Sequence, residues 1–182
     1  MTIAIAEPLR LNLGGAGEGF REGRITGFKT VDLRPGPNTD IVGNVKDLSF
    51  CKEGTVWDIY SSNVLEHFPH TETLTVLKEW HRVLKPGGTL YLSVPDFEAC
   101  VKLYQFHGLA LWVQYLIWGD QAHPLNFHYI NFTCATLSKL LSDAGFSDIR
   151  RVKQLPLCVK DASEHKDNFL GISISLNMEA TK

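Results

Sequence analysis

Three short stretches of the chain gather side chains able to move a proton. His67 stands in Ser61-Ser62-Asn63-Val64-Leu65-Glu66-His67-Phe68, and Asp96 closes Ser93-Val94-Pro95-Asp96. His123 and His128 belong to a polar and aromatic stretch that runs from Trp118 to Tyr129. An imidazole titrates close to neutrality, so each histidine is a candidate general base for a hydroxyl. Asp96 could orient such a hydroxyl; its competing role is the N-cap of a helix opening at Phe97. For His67 the competing role is structural. No third ligand is spaced with His123 and His128, so no metal site is expected.

A second group of residues could hold a ligand against the backbone. Gly14, Gly15 and Gly17 lie in Leu11-Asn-Leu-Gly-Gly-Ala-Gly-Glu-Gly19, where glycine permits positive φ and close approach of a ligand to main-chain N–H groups. Asp32 follows Gly14 by 18 residues, near the offset at which a carboxylate accepts both hydroxyls of a ribose. Asn44-Val-Lys-Asp-Leu48 supplies polar groups where an adenine edge could be read. Taken singly, the glycines suit a plain turn and Asp32 a helix cap. Their order along the chain is what joins them.

The elements that must carry these residues alternate in type. Strands are expected at 9–13, 28–33, 40–43, 57–61 and 88–94, each ending just before one of the stretches above. Leu74, Leu77, Trp80 and Leu84 recur at helical spacing and predict a helix over 71–84, stopped by Pro86-Gly87-Gly88. A second helix is expected over 133–144, ended by Gly145, and a helical run over about 97–117. Two late strands are expected at 149–155 and 168–176. Strands alternating with helices indicate an α/β fold around a mostly parallel sheet, whose ligands sit outside the carboxyl ends of the strands. The first two crossovers are too short for full helices, so one sheet face is expected to be thinly covered, with a second copy of the chain as its shield. One domain, 1–182, is expected, with a lid or substrate insert at about 97–132.

The series LNLGGAGEG, VDL, NVKDL, WDIYSSNVLEHF and EWHRVLKPGGTLYLSVPD resembles the class I S-adenosylmethionine-dependent methyltransferases. Within them it resembles the small branch with a VLEHF segment and a RVLKPGG turn. The likeness covers about residues 9–97 and continues more loosely through NFHYINFTCATLSKLLSDAGF. It implies a Rossmann-like, mostly parallel seven-stranded sheet, here shortened at the N-terminus with reduced helices on one face. It also implies S-adenosyl-L-methionine as cofactor. The backbone of Gly14, Gly15 and Gly17 would face its methionine and ribose, Asp32 its ribose hydroxyls, Asp47 and Leu48 its adenine, and Asn63 its methionine end. Asn12 occupies the place of the acidic residue that usually opens the glycine motif, and Ala16 and Glu18 stand where glycines are common.

The implied activity is transfer of a methyl group to a small molecule, with a sugar or metabolite hydroxyl as acceptor and His67, Asp96 and His128 as the residues nearest that chemistry. The resemblance offers no Asn-Pro-Pro-Tyr-like segment after the fourth strand, which disfavours amide or base N-methylation. The alternatives are a non-catalytic S-adenosylmethionine-binding or assembly protein and an NAD(P)-dependent oxidoreductase. The glycine spacing disfavours the latter, because Phe20 stands where GxGxxG needs its third glycine.

Composition narrows the partners. The 182 residues are 44% apolar and 21% charged, with a formal charge of −2, so no basic footprint for nucleic acid is expected. The most apolar run, 109–118, is far below the roughly 20 residues of a membrane span, and no membrane association is expected. Four scattered cysteines and no signal-like N-terminus give a cytoplasmic expectation.

Overall fold

The computed structural model describes residues 8–15, 25–157, 162–168 and 170–182. Its centre is a seven-stranded sheet built from β1 (Leu9–Leu13), β2 (Lys29–Asp32), β3 (Ile41–Val42), β4 (Val56–Ser62), β5 (Leu84–Pro95), β6 (Ser147–Val152) and β7 (Ser175–Thr181). The order across the sheet is β3-β2-β1-β4-β5-β7-β6. The first five strands run parallel, while β7 is antiparallel to both β5 and β6. The helices are α1 (His70–Val83), α2 (Phe97–His107), α3 (Leu111–Trp118) and α4 (Cys134–Asp143).

The two faces of the sheet differ in chemistry. Parallel strands covered on both sides usually read as unbroken apolar runs. Here β4, β5 and β7 alternate instead. Ile59, Leu90, Leu92, Val94, Leu176, Met178 and Ala180 join Leu11, Leu13 and Val31 in one core beneath α1 and α4, which contribute Val76, Leu77, Trp80, Leu137 and Leu141. The opposite face carries Arg10, Asn12, Asp58, Tyr60, Tyr91, Asn177 and Glu179, as the period of two requires. Several of these groups pair with one another. Arg10 Nε donates to Asp58 Oδ2 at 2.7 Å, and the Arg150 guanidinium pairs with Glu179. The 3-10 turn at Ala162–Glu164 lies over this face, with the Ser163 carbonyl accepting from Asn177 Nδ2 at 2.9 Å. Among the described residues, the face expected to be thinly covered carries these polar side chains, a small cluster of Ile25, Tyr60 and Leu155, and this short strap.

Three boundaries moved, each for a local reason. The expected helix over 97–117 is two helices, because Gly108 at φ 64° turns the chain between α2 and α3. The Pro86-Gly87-Gly88 turn lies inside β5 rather than just past a helix. Val56 pairs with Leu84 and Asp58 with Thr89, so residues 85–88 loop out. A β-carbon at Gly88 would meet the Trp57 carbonyl oxygen at 2.7 Å, which is why glycine stands there. The last strand begins at Ser175 rather than 168. Its Glu179 looks too polar for a central strand until Arg150 of β6 is placed beside it.

Trp80 shows how the core fixes the loops. The indole is fully buried, and its Nε1–H donates to the Val45 carbonyl at 2.8 Å. One helical side chain thus holds the loop that follows β3. No helix of the described residues is long and apolar enough to cross a membrane.

Candidate functional site

The carboxyl ends of β1, β2, β4 and β5 meet at one edge of the sheet. At β1, Gly14 takes φ 73° and its N–H donates to the Val31 carbonyl at 2.8 Å. A β-carbon at Gly15 would fall 2.0 Å from Asn12 Nδ2, so the glycine makes room for the buried Asn12 amide. Asn12 in turn donates to Thr30 Oγ1 at 3.4 Å. Two of the glycines are therefore required by the protein's own packing. Gly17, Ala16 and Glu18 lie outside the described residues.

Asp32 ends β2 with 5% of its surface exposed, and its Oδ1 accepts the Arg34 N–H at 2.9 Å. Beyond β3, the exposed Asp47 accepts the Ser49 N–H at 3.1 Å, and the Ser49 hydroxyl together with that N–H holds its carboxyl below the usual range. Leu48 does not face outward as an adenine contact would. Its side chain is wholly buried in the core, and its N–H is taken by Glu79 Oε1 at 2.9 Å. What this loop offers a ligand is Asp47 and exposed main chain.

The turn after β4 is the most constrained part of the edge. Asn63 adopts φ 53°, a left-handed conformation that asparagine tolerates better than most side chains. Its N–H donates to the Ser93 carbonyl of β5 at 2.9 Å. A 3-10 turn, Leu65–His67, follows. The loop between α3 and α4 folds back on this turn: the Tyr129 N–H donates to the Glu66 carbonyl at 2.8 Å, and His67 Nδ1 lies 3.0 Å from the Phe127 carbonyl. His128 Nδ1 lies 3.1 Å from the Leu116 carbonyl. A carbonyl can only accept, so each Nδ1 carries the proton and each Nε2 keeps its lone pair. The two rings meet edge to face, 5.0 Å between centroids.

Burial sets the electrostatics of this pair. It lowers the affinity of His67 for a proton, against the pull of the Phe127 and Asn63 carbonyls. Burial and the neighbouring His67 push His128 down to about 4. Both imidazoles are neutral near pH 7. Beside them Glu66 is 1% exposed, neither carboxylate oxygen has a hydrogen-bonding partner among the described residues, and burial raises its pKa to about 8. The Ser62 hydroxyl and Asn63 Oδ1 are likewise buried without a partner among the described residues. Buried polar atoms left unpaired in one place are uncommon and mark a site that something else completes.

The structure brings His67 and His128 together and gives Asp96 other work. Asp96 Oδ1 accepts the Glu98 N–H at 3.0 Å as the N-cap of α2, and its Oδ2 receives the Arg151 guanidinium at 2.6 Å. Both oxygens are engaged, so the cap reading of Asp96 has the geometry. His123 is exposed, with Nδ1 accepting the Leu125 N–H at 3.2 Å. Sequence reasoning passed over Glu66, although its adjacency to His67 was the available signal. A groove of about 600 Å³ runs along the outer flank of α1 between Lys46, Lys78 and Arg82. It shares Asp47, Ser49 and Glu79 with the residues above and has none of the unpaired buried atoms.

A parallel sheet that reverses at β7, with loops gathered at its carboxyl edge, defines a Rossmann-like α/β protein. Residues 29–92 match the family model of the methyltransferase domain. The fold is that of the class I S-adenosylmethionine-dependent methyltransferases. A SAM-dependent methyltransferase from Archaeoglobus fulgidus superposes at TM-score 0.62 and 14% identity, covering 96% of this chain and 86% of that one. A possible histamine N-methyltransferase from Thermotoga maritima gives 0.58 at 16% identity, with coverages of 95% and 81%. The 1,6-didemethyltoxoflavin-N1-methyltransferase of Burkholderia thailandensis, solved with its namesake ligand and S-adenosylhomocysteine, gives 0.57 at 21%, with coverages of 95% and 70%. No curated protein matches the sequence.

Proposed function

We propose that this protein transfers a methyl group from S-adenosylmethionine to a hydroxyl of a small molecule. One observation carries the reading: two neutral imidazoles stand just past β4 with their Nδ1 protons tied to carbonyls and their Nε2 lone pairs available. Methyl transfer needs alignment of donor and acceptor, plus a base where the acceptor is a neutral hydroxyl. Asp32 would bind the cofactor ribose, the Gly14–Gly15 backbone its methionine half, Asp47 its adenine and Asn63 its amino-acid end. His67 or His128 would take the acceptor proton through Nε2. In this reading the insert at 97–132 supplies the acceptor side of the pocket, with exposed Tyr104, Trp112 and Tyr115 along its helices.

Structures with this fold include N-methyltransferases, a carbon methyltransferase and a putative O-methyltransferase, so the fold leaves the acceptor atom open. The hydroxyl rests on the imidazoles, and a sugar or similar metabolite on the polar side chains beside them. A second reading, a binding protein without turnover, draws on the close packing of Asn12 into Gly15 where cofactor would otherwise touch main chain.

The test is release of S-adenosylhomocysteine from S-adenosylmethionine with a panel of sugar and metabolite alcohols. Turnover lost in both His67→Ala and His128→Ala would support the base assignment. A thermal shift with S-adenosylhomocysteine and no turnover on any acceptor would favour the binding protein. A shift only with NAD would overturn both readings. Sedimentation would decide whether a second copy covers the polar sheet face; a monomer at high concentration would reject the dimer.

A further inference from the structure

Glu66, His67 and His128 form a compact triplet: one potential ligand atom from each lies within 4.8 Å of the others. The chain reaches this arrangement by folding the loop before α4 onto the turn after β4, so two adjacent residues meet a third from 61 positions later. We propose that this triplet is a binding site for a divalent transition-metal ion of the Zn²⁺ type.

Several independent features point the same way. Two imidazole nitrogens and one carboxylate are a donor set that leaves a coordination position open for a further ligand. Mg²⁺ and Ca²⁺ prefer all-oxygen sites and fit poorly. Each histidine offers Nδ1 to a backbone carbonyl, Phe127 for one ring and Leu116 for the other. That hydrogen bond orients a ring so that Nε2 can bind metal, as in established sites where the second ring nitrogen is tied back. The Glu66 carboxylate is buried with neither oxygen partnered among the described residues, and no cation of the described chain is paired with it. A buried carboxyl group with neither oxygen partnered lacks the contacts that normally accompany burial, and a bound cation would supply them. The Asp120 carboxylate adds negative potential near both imidazoles while its Oδ1 accepts from Ala122 N and Asn126 Nδ2.

The spacing asks for one adjustment. Bonds of 2.0–2.1 Å in a tetrahedron place neighbouring ligand atoms roughly 3.3 Å apart. The triplet is more open than that, and the rings are pinned by their Nδ1 contacts. Glu66 is the side chain able to swing, since neither carboxylate oxygen is held by another described residue. With metal bound, both Nε2 atoms would be ligands rather than bases; on the proposed methyl transfer, the open position would instead take the acceptor oxygen and lower its pKa, its proton passing to solvent. The site itself stands without that step.

The test uses the whole chain after chelation, titrated with Co²⁺ as a spectroscopic stand-in for Zn²⁺ and then with Zn²⁺ in a thermal-shift assay. One Co²⁺ per chain is expected, with the intense visible bands of a four- or five-coordinate site, displaced by Zn²⁺. Glu66→Gln and His128→Asn should each abolish the bands and weaken affinity by about 100-fold or more. His70→Ala, which removes an exposed imidazole outside the triplet, should leave both unchanged. Far-UV circular dichroism and the S-adenosylhomocysteine thermal shift check that the variants are folded; if Glu66→Gln is not, His128→Asn decides. Absence of stoichiometric uptake, or bands that survive both triplet variants, would overturn the site. Because metal is read by spectroscopy and methyl transfer by product release, each reading can fail alone.

Discussion

A β-carbon added at Gly14 would fall 2.4 Å from Val64 Cγ2. The glycine loop after β1 and the turn after β4 are thus packed against each other at a single point, and Gly14 also holds φ 73°. Gly14→Ala should destabilise the protein by about 1–3 kcal/mol through strain and contact together. Adding Val64→Ala removes the contact but not the strain, so the double variant should recover part of the loss in denaturant unfolding. No loss in the single variant, or no recovery in the double, would show that the two loops are not coupled here.

Asp32 presents a buried carboxylate at the end of β2. Removing charge-assisted hydrogen bonds to a ribose should weaken S-adenosylhomocysteine binding about 10- to 100-fold in Asp32→Ala, measured by calorimetry. Binding as tight as in the native protein would move the ribose elsewhere.

Glu79 links α1 to the loop carrying Asp47. It accepts the Leu48 N–H through Oε1, and its two oxygens receive Arg82 Nε at 2.7 Å and Nη2 at 2.8 Å. Arg82 in turn donates to the Cys51 and Leu48 carbonyls. Glu79→Ala should cost about 1–3 kcal/mol and loosen the loop. The Arg82 hydrogen bond holds the Glu79 carboxyl below its ordinary 4.5. A depressed folded value means the contribution is complete above pH 4.5 and is lost as pH falls through the folded pKa. Acid unfolding of Glu79→Ala should therefore show a shallower fall in stability below pH 4.5 than the native protein. Equal slopes would remove Glu79 from the acid response.

Cys100 and Cys51 are both buried, and desolvation raises both thiols, Cys100 to about 12. Thiolate is the reactive form, so neither should be alkylated in the native protein at pH 8, while both should react after denaturation. Peptide mapping of the labelled protein checks this. Native-state labelling of Cys100 would mean that α2 opens.

Much of the fold can be read from the sequence because each apolar run stops at a residue that does something at the stop. Leu13 runs into Gly14, Val31 into Asp32, Ser62 into Asn63 and Val94 into Pro95. These ends mark the sheet edge where the candidate site lies. The sequence is silent where the answer sits on another element. Glu179 belongs in a strand only because Arg150 pairs with it. Asp96 appears free until Arg151, 55 positions away, occupies its second oxygen. His128 lacks a partner in its own stretch and finds Glu66 and His67 only when the loop folds back. Leu48 reads as a surface contact because nothing local tells of Glu79. Contacts of long sequence separation decide each of these, and periodicity does not report them.

The polar side of the sheet has a consequence for how small such a scaffold can be. A nucleoside-binding α/β unit ordinarily sandwiches its strands between two greasy layers. Here the second layer among the described residues is only a small cluster of Ile25, Tyr60 and Leu155, set beside the Arg10–Asp58 and Arg150–Glu179 pairs. Those two charge pairs stand back from the loops at the carboxyl ends of the strands, so they could be rewritten for attachment or immobilisation without touching the candidate site.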